Sequence, residues 1–208
     1  MQLAFEAGEF DAELAEVDLH DRKLGAYKYK KDEHPRPNAT LESLAKLKPV
    51  FLKDGVVTAG NASGINDGAG AIVLASKKAV EQYGLKPLAK IVSYHVEGVD
   101  PQVMGYGPVP AILGALKKSK LSLDAMDRIE INEAFCAQFL ACAKELKLDL
   151  KKTNMCGGAT AVGHPLAASG ARIVAHLTHA LQKHNQEYAV GSACIGGGQG
   201  IAVVLQKC

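Results

Sequence analysis

The chain has 208 residues, 48% of them hydrophobic, with 24 Lys and Arg against 22 Asp and Glu for a net charge of +2. That is enough apolar material for a core in one or two domains, and the charge is too balanced for bulk electrostatics to select nucleic acid or an anionic membrane. No apolar run approaches the ~20 residues of a membrane helix, and five cysteines without a Cys-x-x-Cys pair argue against a disulfide framework or structural zinc and for a reducing cytosolic or matrix compartment.

Met1 to Phe10 carries Glu6 and Glu9 and no basic stretch, so it reads as neither a signal nor a transit peptide. Residues 1–40 are polar and mixed. Tyr27-Lys28-Tyr29-Lys30-Lys31, followed by Pro35 and Pro37, predicts an exposed extended segment. Its tyrosines and lysines fit a solvated face better than an RNA platform. A short helix over 40–47 follows, capped by Thr40 or Asn38. Thr58 to Gly68 is rich in Gly, Asn and Ser and predicts a loop with close backbone approach. A strand over 71–75 and a helix over 77–83 come next, and Leu88 to Glu97 predicts a strand opening a new unit. From there the pattern alternates: helix 109–118, strand 128–132, helix 135–146, a long helix 165–181 and two closing strands. Alternation of this kind implies an α/β fold with a partly parallel sheet, its last two strands pairing antiparallel through a Gly-rich connection.

That connection, Cys194-Ile195-Gly196-Gly197-Gly198-Gln199-Gly200, is the most informative stretch. It offers a thiol at a strand end and backbone N–H groups that something can approach. A buried structural cysteine is the plainer reading of Cys194. A strand follows these glycines, not a helix, so they do not form a dinucleotide fingerprint, and the Gly60-Asn61-Ala62-Ser63-Gly64 loop lacks the Gly-Lys-Ser/Thr of a phosphate loop. His164 precedes Pro165, a residue favoured in the first turn of a helix, which places His164 at or beside the N-cap of the long helix. The positive end of the helix dipole there disfavours imidazolium. The neutral ring then acts as a base or an N–H donor, or simply caps the helix. Asn132 and Glu133 sit where a strand hands over to a helix. Asn132 suits holding a water or a carbonyl oxygen, and Glu133 suits capping the helix that follows. Metal binding by Cys194, His164 and Glu133 has no support in their spacing.

Asn132-Glu133-Ala134-Phe135, Gly163-His164-Pro165 and Cys194-x-Gly196, in this order and with the Gly60–Gly64 loop, resemble the C-terminal catalytic motifs of the thiolase family. The resemblance spans the whole chain and is most like the 3-ketoacyl-CoA thiolases of mitochondrial fatty-acid oxidation. It implies a thiolase-like C-terminal domain, a mixed five-stranded sheet with helices packed on it, over residues 88–208. Before it would come the end of a loop domain (1–65) and the last strand and helix of the N-terminal domain (66–87). It implies thiolytic cleavage of 3-ketoacyl-CoA to acetyl-CoA and a shortened acyl-CoA, or the reverse condensation. Coenzyme A would be a substrate, with no covalently bound cofactor and no metal.

By the same resemblance His164 is the base that activates a nucleophilic cysteine and also donates to the thioester oxygen, and Asn132 holds the water that completes this first oxyanion hole. Cys194 is the second cysteine, which moves a proton at the α-carbon once its pKa is brought toward the working pH, and the Gly196 N–H serves the second oxyanion hole. Ala59 and Ser63 line the pantetheine channel, Ala134 and Phe135 lie near the thioester, and Arg36 and Ser43 lie near the adenine nucleotide. The family's nucleophile belongs to a Cys-[Gly/Ala]-Ser-Gly motif that does not occur among these residues. Cys156 and Cys136 also stand where the family usually has Asn and Ala. The chain is therefore expected to be inactive alone, needing an N-terminal thiolase half. The alternative is a non-catalytic CoA- or acyl-CoA-binding fragment or partner subunit. The family implies a homo-oligomer in the mitochondrial matrix, with cytoplasm or peroxisome as alternatives.

Overall fold

The computed structural model describes residues 1–208. Its core begins at a 3₁₀ turn, Pro101–Tyr106, that feeds helix α4 (Pro108–Ser119). The earlier elements are α1 (Gln2–Glu6), a hairpin of β1 (Val17–Asp21) and β2 (Gly25–Tyr29), α2 (Leu41–Ala45), α3 (Lys77–Tyr83) and strand β3 (Ala89–Gly98). After α4 come β4 (Arg128–Ile131), α5 (Cys136–Leu146), α6 (Ala159–Val162), α7 (Ser169–Lys183), β5 (Tyr188–Ile195) and β6 (Gln199–Lys207).

The main sheet has the order β3-β6-β5-β4, with β4 and β5 parallel and the other neighbours antiparallel. It is mixed, as expected, but has four strands and not five. Side chains alternate along β5, so Val190 faces one way and Ala189 the other. Val190, Val204 and Ile131 pack with Ile112, Ala115 and Cys142 of α4 and α5, while Ala189 and Leu205 pack with Ile173, Leu177 and Leu181 of α7. The sheet is thus covered on both faces, α4 and α5 on one and α7 on the other.

Three expectations need correction. Residues 71–75 form no strand, because a strand needs a ladder partner and none is offered; Val73 is 91% and Leu74 75% exposed. The long helix begins at Ser169, not at 165. The Pro165 carbonyl accepts the Ala168 and Ser169 amides at 2.9 Å in a separate turn, so His164 is not its N-cap. The polar N-terminal stretch contains α1 and the hairpin, whose turn is closed by Asp21 Oδ1 accepting from the Lys23 and Leu24 amides at 2.7 and 3.0 Å. The short helix at 41–45 is capped as predicted by Thr40, in a reciprocal capping box with Ser43.

Candidate functional site

Because β4 and β5 run parallel, their carboxyl ends share one edge of the sheet, where α/β folds expose ligand sites. Asn132 lies just past β4, buried, with its amide donating to the Ser192 carbonyl at 2.9 Å. Its side-chain Nδ2 is 3.2 Å from His164 Nε2. His164 Nδ1 is 2.6 Å from Ser169 Oγ. Burial, with the Arg172 guanidinium nearby, holds the His164 pKa below its ordinary value, so the ring is neutral at neutral pH. The neutrality foreseen from a helix dipole is present, but its causes are desolvation and a like charge.

The Gly-Asn-Ala-Ser-Gly loop is laid across this pair. Ser63 donates its amide and its hydroxyl to the Ala134 carbonyl, both at 3.0 Å, and Ala62 bridges Phe135. The Cys136 amide donates to Asn61 O at 2.8 Å and the His164 amide to Gly64 O at 3.0 Å. Phe51 meets Phe135 edge to face with ring centres 5.7 Å apart. Ser63, Ala134, Phe135 and His164 are therefore one assembly, with Ala59 exposed at its rim.

Cys194 and Gly196 stand at the same sheet edge, but no hydrogen bond joins Cys194 to His164 or Asn132. Alternation sends Asn132 to the α7 side and Cys194 to the α4–α5 side. Burial pushes the Cys194 thiol up, against the expectation of a lowered pKa, and so keeps it protonated. Cys142, behind it, is pushed up to about 11 by burial and, further, by the proximity of Cys194. The glycines after Cys194 admit the chain's own backbone: a side chain at Gly198 would strike Val99 and Pro101, and one at Gly200 would strike Gly107. A side chain at Gly196 would meet nothing within 4 Å; its carbonyl accepts from Gln199 Nε2 at 3.4 Å, and its N–H has no partner in the chain.

Arg36 and Ser43 are exposed and locally engaged. Arg36 Nη1 donates to the carbonyls of Glu33, His34 and Pro35 at 2.8, 2.7 and 3.2 Å, and Ser43 closes the cap of α2. Glu133 does not cap α5. Its carboxylate accepts from Asn154 Nδ2 at 2.7 Å and from the Thr160 amide at 3.1 Å, so it caps α6 and fixes the turn leading to His164. No group of three or more His, Cys, Asp or Glu side chains is placed to hold a metal.

Sequence reasoning missed Ser169, and also Arg172, which pairs with the buried Glu130 of β4. The signal was present: Ser169, Arg172 and His176 form a polar stripe on one face of α7, and Glu130 and Asn132 are two apart on one face of β4.

The sequence matches the description "Thiolase, C-terminal domain" over residues 85–207 and "Thiolase, N-terminal domain" over residues 1–78. It is 60% identical over 204 residues to the mitochondrial 3-ketoacyl-CoA thiolase of Bos taurus, covering 98% of this chain and 51% of that protein. It is 50% identical to an acetyl-CoA acetyltransferase of Escherichia coli, with 98% and 52% coverage. The fold superposes on human mitochondrial 3-ketoacyl-CoA thiolase with a TM-score of 0.96 at 57% identity, covering 99% of this chain and 52% of that one. The same human enzyme in complex with CoA gives a TM-score of 0.95. The chain spans about half the length of the relatives it matches.

Proposed function

The chain belongs to the thiolase family, and from that premise we propose that it is the proton-transfer and oxyanion-binding part of a CoA-dependent acyltransferase. The reaction is thiolysis of 3-ketoacyl-CoA to acetyl-CoA and an acyl-CoA shortened by two carbons, or its reversal. The observation that carries this reading is the direct Asn132–His164 contact, with a neutral imidazole, under a loop pinned to Ala134.

The chemistry assigns each group a task. A thiolate attacks the 3-keto carbon, and the adjacent carbon–carbon bond breaks to leave the enolate of acetyl-CoA. His164 accepts the proton of the attacking thiol and returns it to that sulfur when CoA displaces the acyl group, while the proton of the CoA thiol goes to Cys194, left as a thiolate once it has protonated the enolate. Asn132 holds the polar environment of the first oxyanion. Cys194, kept as S–H by burial, protonates the enolate carbon, and the free Gly196 N–H receives the enolate oxygen. Ala59, Ser63, Ala134 and Phe135 line the approach of the thiol end of CoA, and Arg36 and Ser43 lie toward its nucleotide.

Among these 208 residues no Cys-[Gly/Ala]-Ser-Gly nucleophile occurs. We infer that they do not turn over substrate alone and that a complementary thiolase half supplies that thiol. The units 1–65, 66–87 and 88–208 remain the proposed division, and the proposed setting is a mitochondrial-matrix homo-oligomer. The test is thiolysis of acetoacetyl-CoA by the chain alone and mixed with a separately produced N-terminal thiolase segment. Activity only in the mixture, abolished by His164→Ala, is expected; robust turnover by the pure chain overturns it. A CoA-binding role without catalysis predicts instead CoA binding weakened by Arg36→Ala or Ser63→Ala, and no activity in any mixture.

A further inference from the structure

The two ring nitrogens of His164 have different neighbours, and proton counting tells them apart. Ser169 Oγ lies 3.0 Å from the Pro165 carbonyl, which can only accept, and 2.6 Å from His164 Nδ1. A hydroxyl has one proton. If that proton goes to Pro165, the oxygen meets Nδ1 as an acceptor, and Nδ1 must carry the N–H. A neutral imidazole has only one N–H, so Nε2 is bare and accepts from Asn132 Nδ2 at 3.2 Å.

The opposite arrangement turns the serine proton to Nδ1, moves the ring proton to Nε2 and flips the Asn132 amide. It leaves both N–H bonds of a buried amide unpaired. The first arrangement leaves one N–H and the Asn132 carbonyl oxygen unpaired instead. Unpaired buried N–H groups are the rarer and costlier outcome. Ser169 itself is only 3% exposed, so solvent does not compete for its hydroxyl, and as the first residue of α7 it is held by the helix.

We propose that Ser169 is a positioning residue that fixes His164 as the Nδ1–H tautomer and so makes Nε2 the basic atom of the site. This deepens the role given to His164 above and rests on that reading for its catalytic meaning. The tautomer itself does not depend on turnover. A ring with its lone pair on Nδ1 would aim its basic atom at Ser169 and Pro165, away from Asn132.

The experiment is long-range proton–nitrogen correlation of the histidine rings in the ¹⁵N-labelled 208-residue chain, at a pH where His164 is neutral. Wild type is expected to show a protonated Nδ1 and a bare Nε2. Ser169→Ala is expected to shift the ring toward the Nε2–H form, and Ser169→Thr to restore the wild-type pattern. Ser169→Cys, similar in volume and a weaker acceptor, gives an intermediate pattern and carries the comparison if the alanine variant does not fold. Where turnover is recovered with a complementary half, Ser169→Ala lowers kcat about 10²-fold, the low end of a general base's contribution, with KM little changed. An Nε2–H ring in wild type, or an unaltered Nδ1–H ring in the folded alanine or cysteine variant, overturns the proposal. Failure of complementation with the expected spectra in hand counts against the thiolase reading and leaves the tautomer assignment standing.

Discussion

Arg172 acts on two neighbours at once. Its guanidinium pairs with Glu130, a carboxylate buried in β4, and its charge disfavours imidazolium at His164. Arg172→Met removes both effects. Buried Glu130 loses its ion-pair partner and keeps only the attraction of the His176 charge, which costs up to about 3–5 kcal/mol. The His164 pKa rises, because a repelling cation is gone. Chemical denaturation measures the first effect and an NMR titration the second; a His164 pKa that stays put removes Arg172 from the account. The same depressed pKa has a consequence for stability. The unfolded chain takes up the His164 proton near pH 6.5 and the folded chain only at a lower pH, so this residue's contribution is full above 6.5 and is lost as pH falls through the folded value. His164, Asn132 and Cys194 were legible in the sequence because each sits in a short motif. Ser169, Glu130 and Arg172 were not, because what identifies them is contact between β4 and α7, and contact is not written in local sequence.

At the scale of elements, α7 is the hinge between site and scaffold. Ser169 at its start touches His164, Ile173 and Leu177 pack on the sheet, and its far half receives the N-terminal segment. A methyl group at Gly191 of β5 would sit 2.8 Å from Ile173 and 3.0 Å from Leu177, so only glycine lets the helix lie this close. Gly191→Ala is therefore expected to destabilise by about 1–3 kcal/mol through overpacking, as read from a denaturation midpoint at unchanged slope. Further along the helix, His176 Nδ1 meets Glu13 at 2.7 Å and Glu9 meets Lys183 and His184 at 3.0 and 2.7 Å. Burial opposes charge on His176, but the Cys156 and Glu13 hydrogen bonds with the Glu130 and Glu13 charges outweigh it and raise its pKa to about 10. Its stabilising proton is fully present below 6.5 and is lost as pH rises toward about 10, so the docking of residues 1–13 weakens across that window. Hydrogen exchange of α1 at pH 7 and 9.5 checks this, and His176→Gln should flatten the difference. Periodicity located α4, α5 and the closing strands within a few residues. It misplaced the start of α7 because Pro165 imitates a first-turn proline while closing a separate turn, and it missed α1 and the hairpin because each element is only five residues long and the alternation of Val17 and Leu19 opposite Tyr29 and Tyr27 is correspondingly short.

For the whole molecule, no residue before Gly107 is buried, and the 36 buried residues run from Gly107 to Leu205. The stability of residues 1–87 is therefore borrowed from the sheet domain through a few contacts: Glu13 and Glu9 on α7, Ser63 on Ala134 and Gly64 on His164. Amides of β5, β6 and α4 should exchange only on global unfolding, and those of residues 17–29 orders of magnitude faster. The exposed stretch Ile72-Val73-Leu74 is different in kind, because it is an extended apolar segment with an unused backbone ladder. Such a segment recruits another chain. Val73→Lys with Leu74→Lys places like charges on that surface without touching any buried residue. The double variant should self-associate less than wild type in sedimentation velocity at the same concentration, with the melting temperature of the sheet domain unchanged. Equal association by the two proteins would mean that the contact between copies runs through another surface, and the apolar side chains of the Val50-Phe51-Leu52 turn, all exposed, would be the next to change.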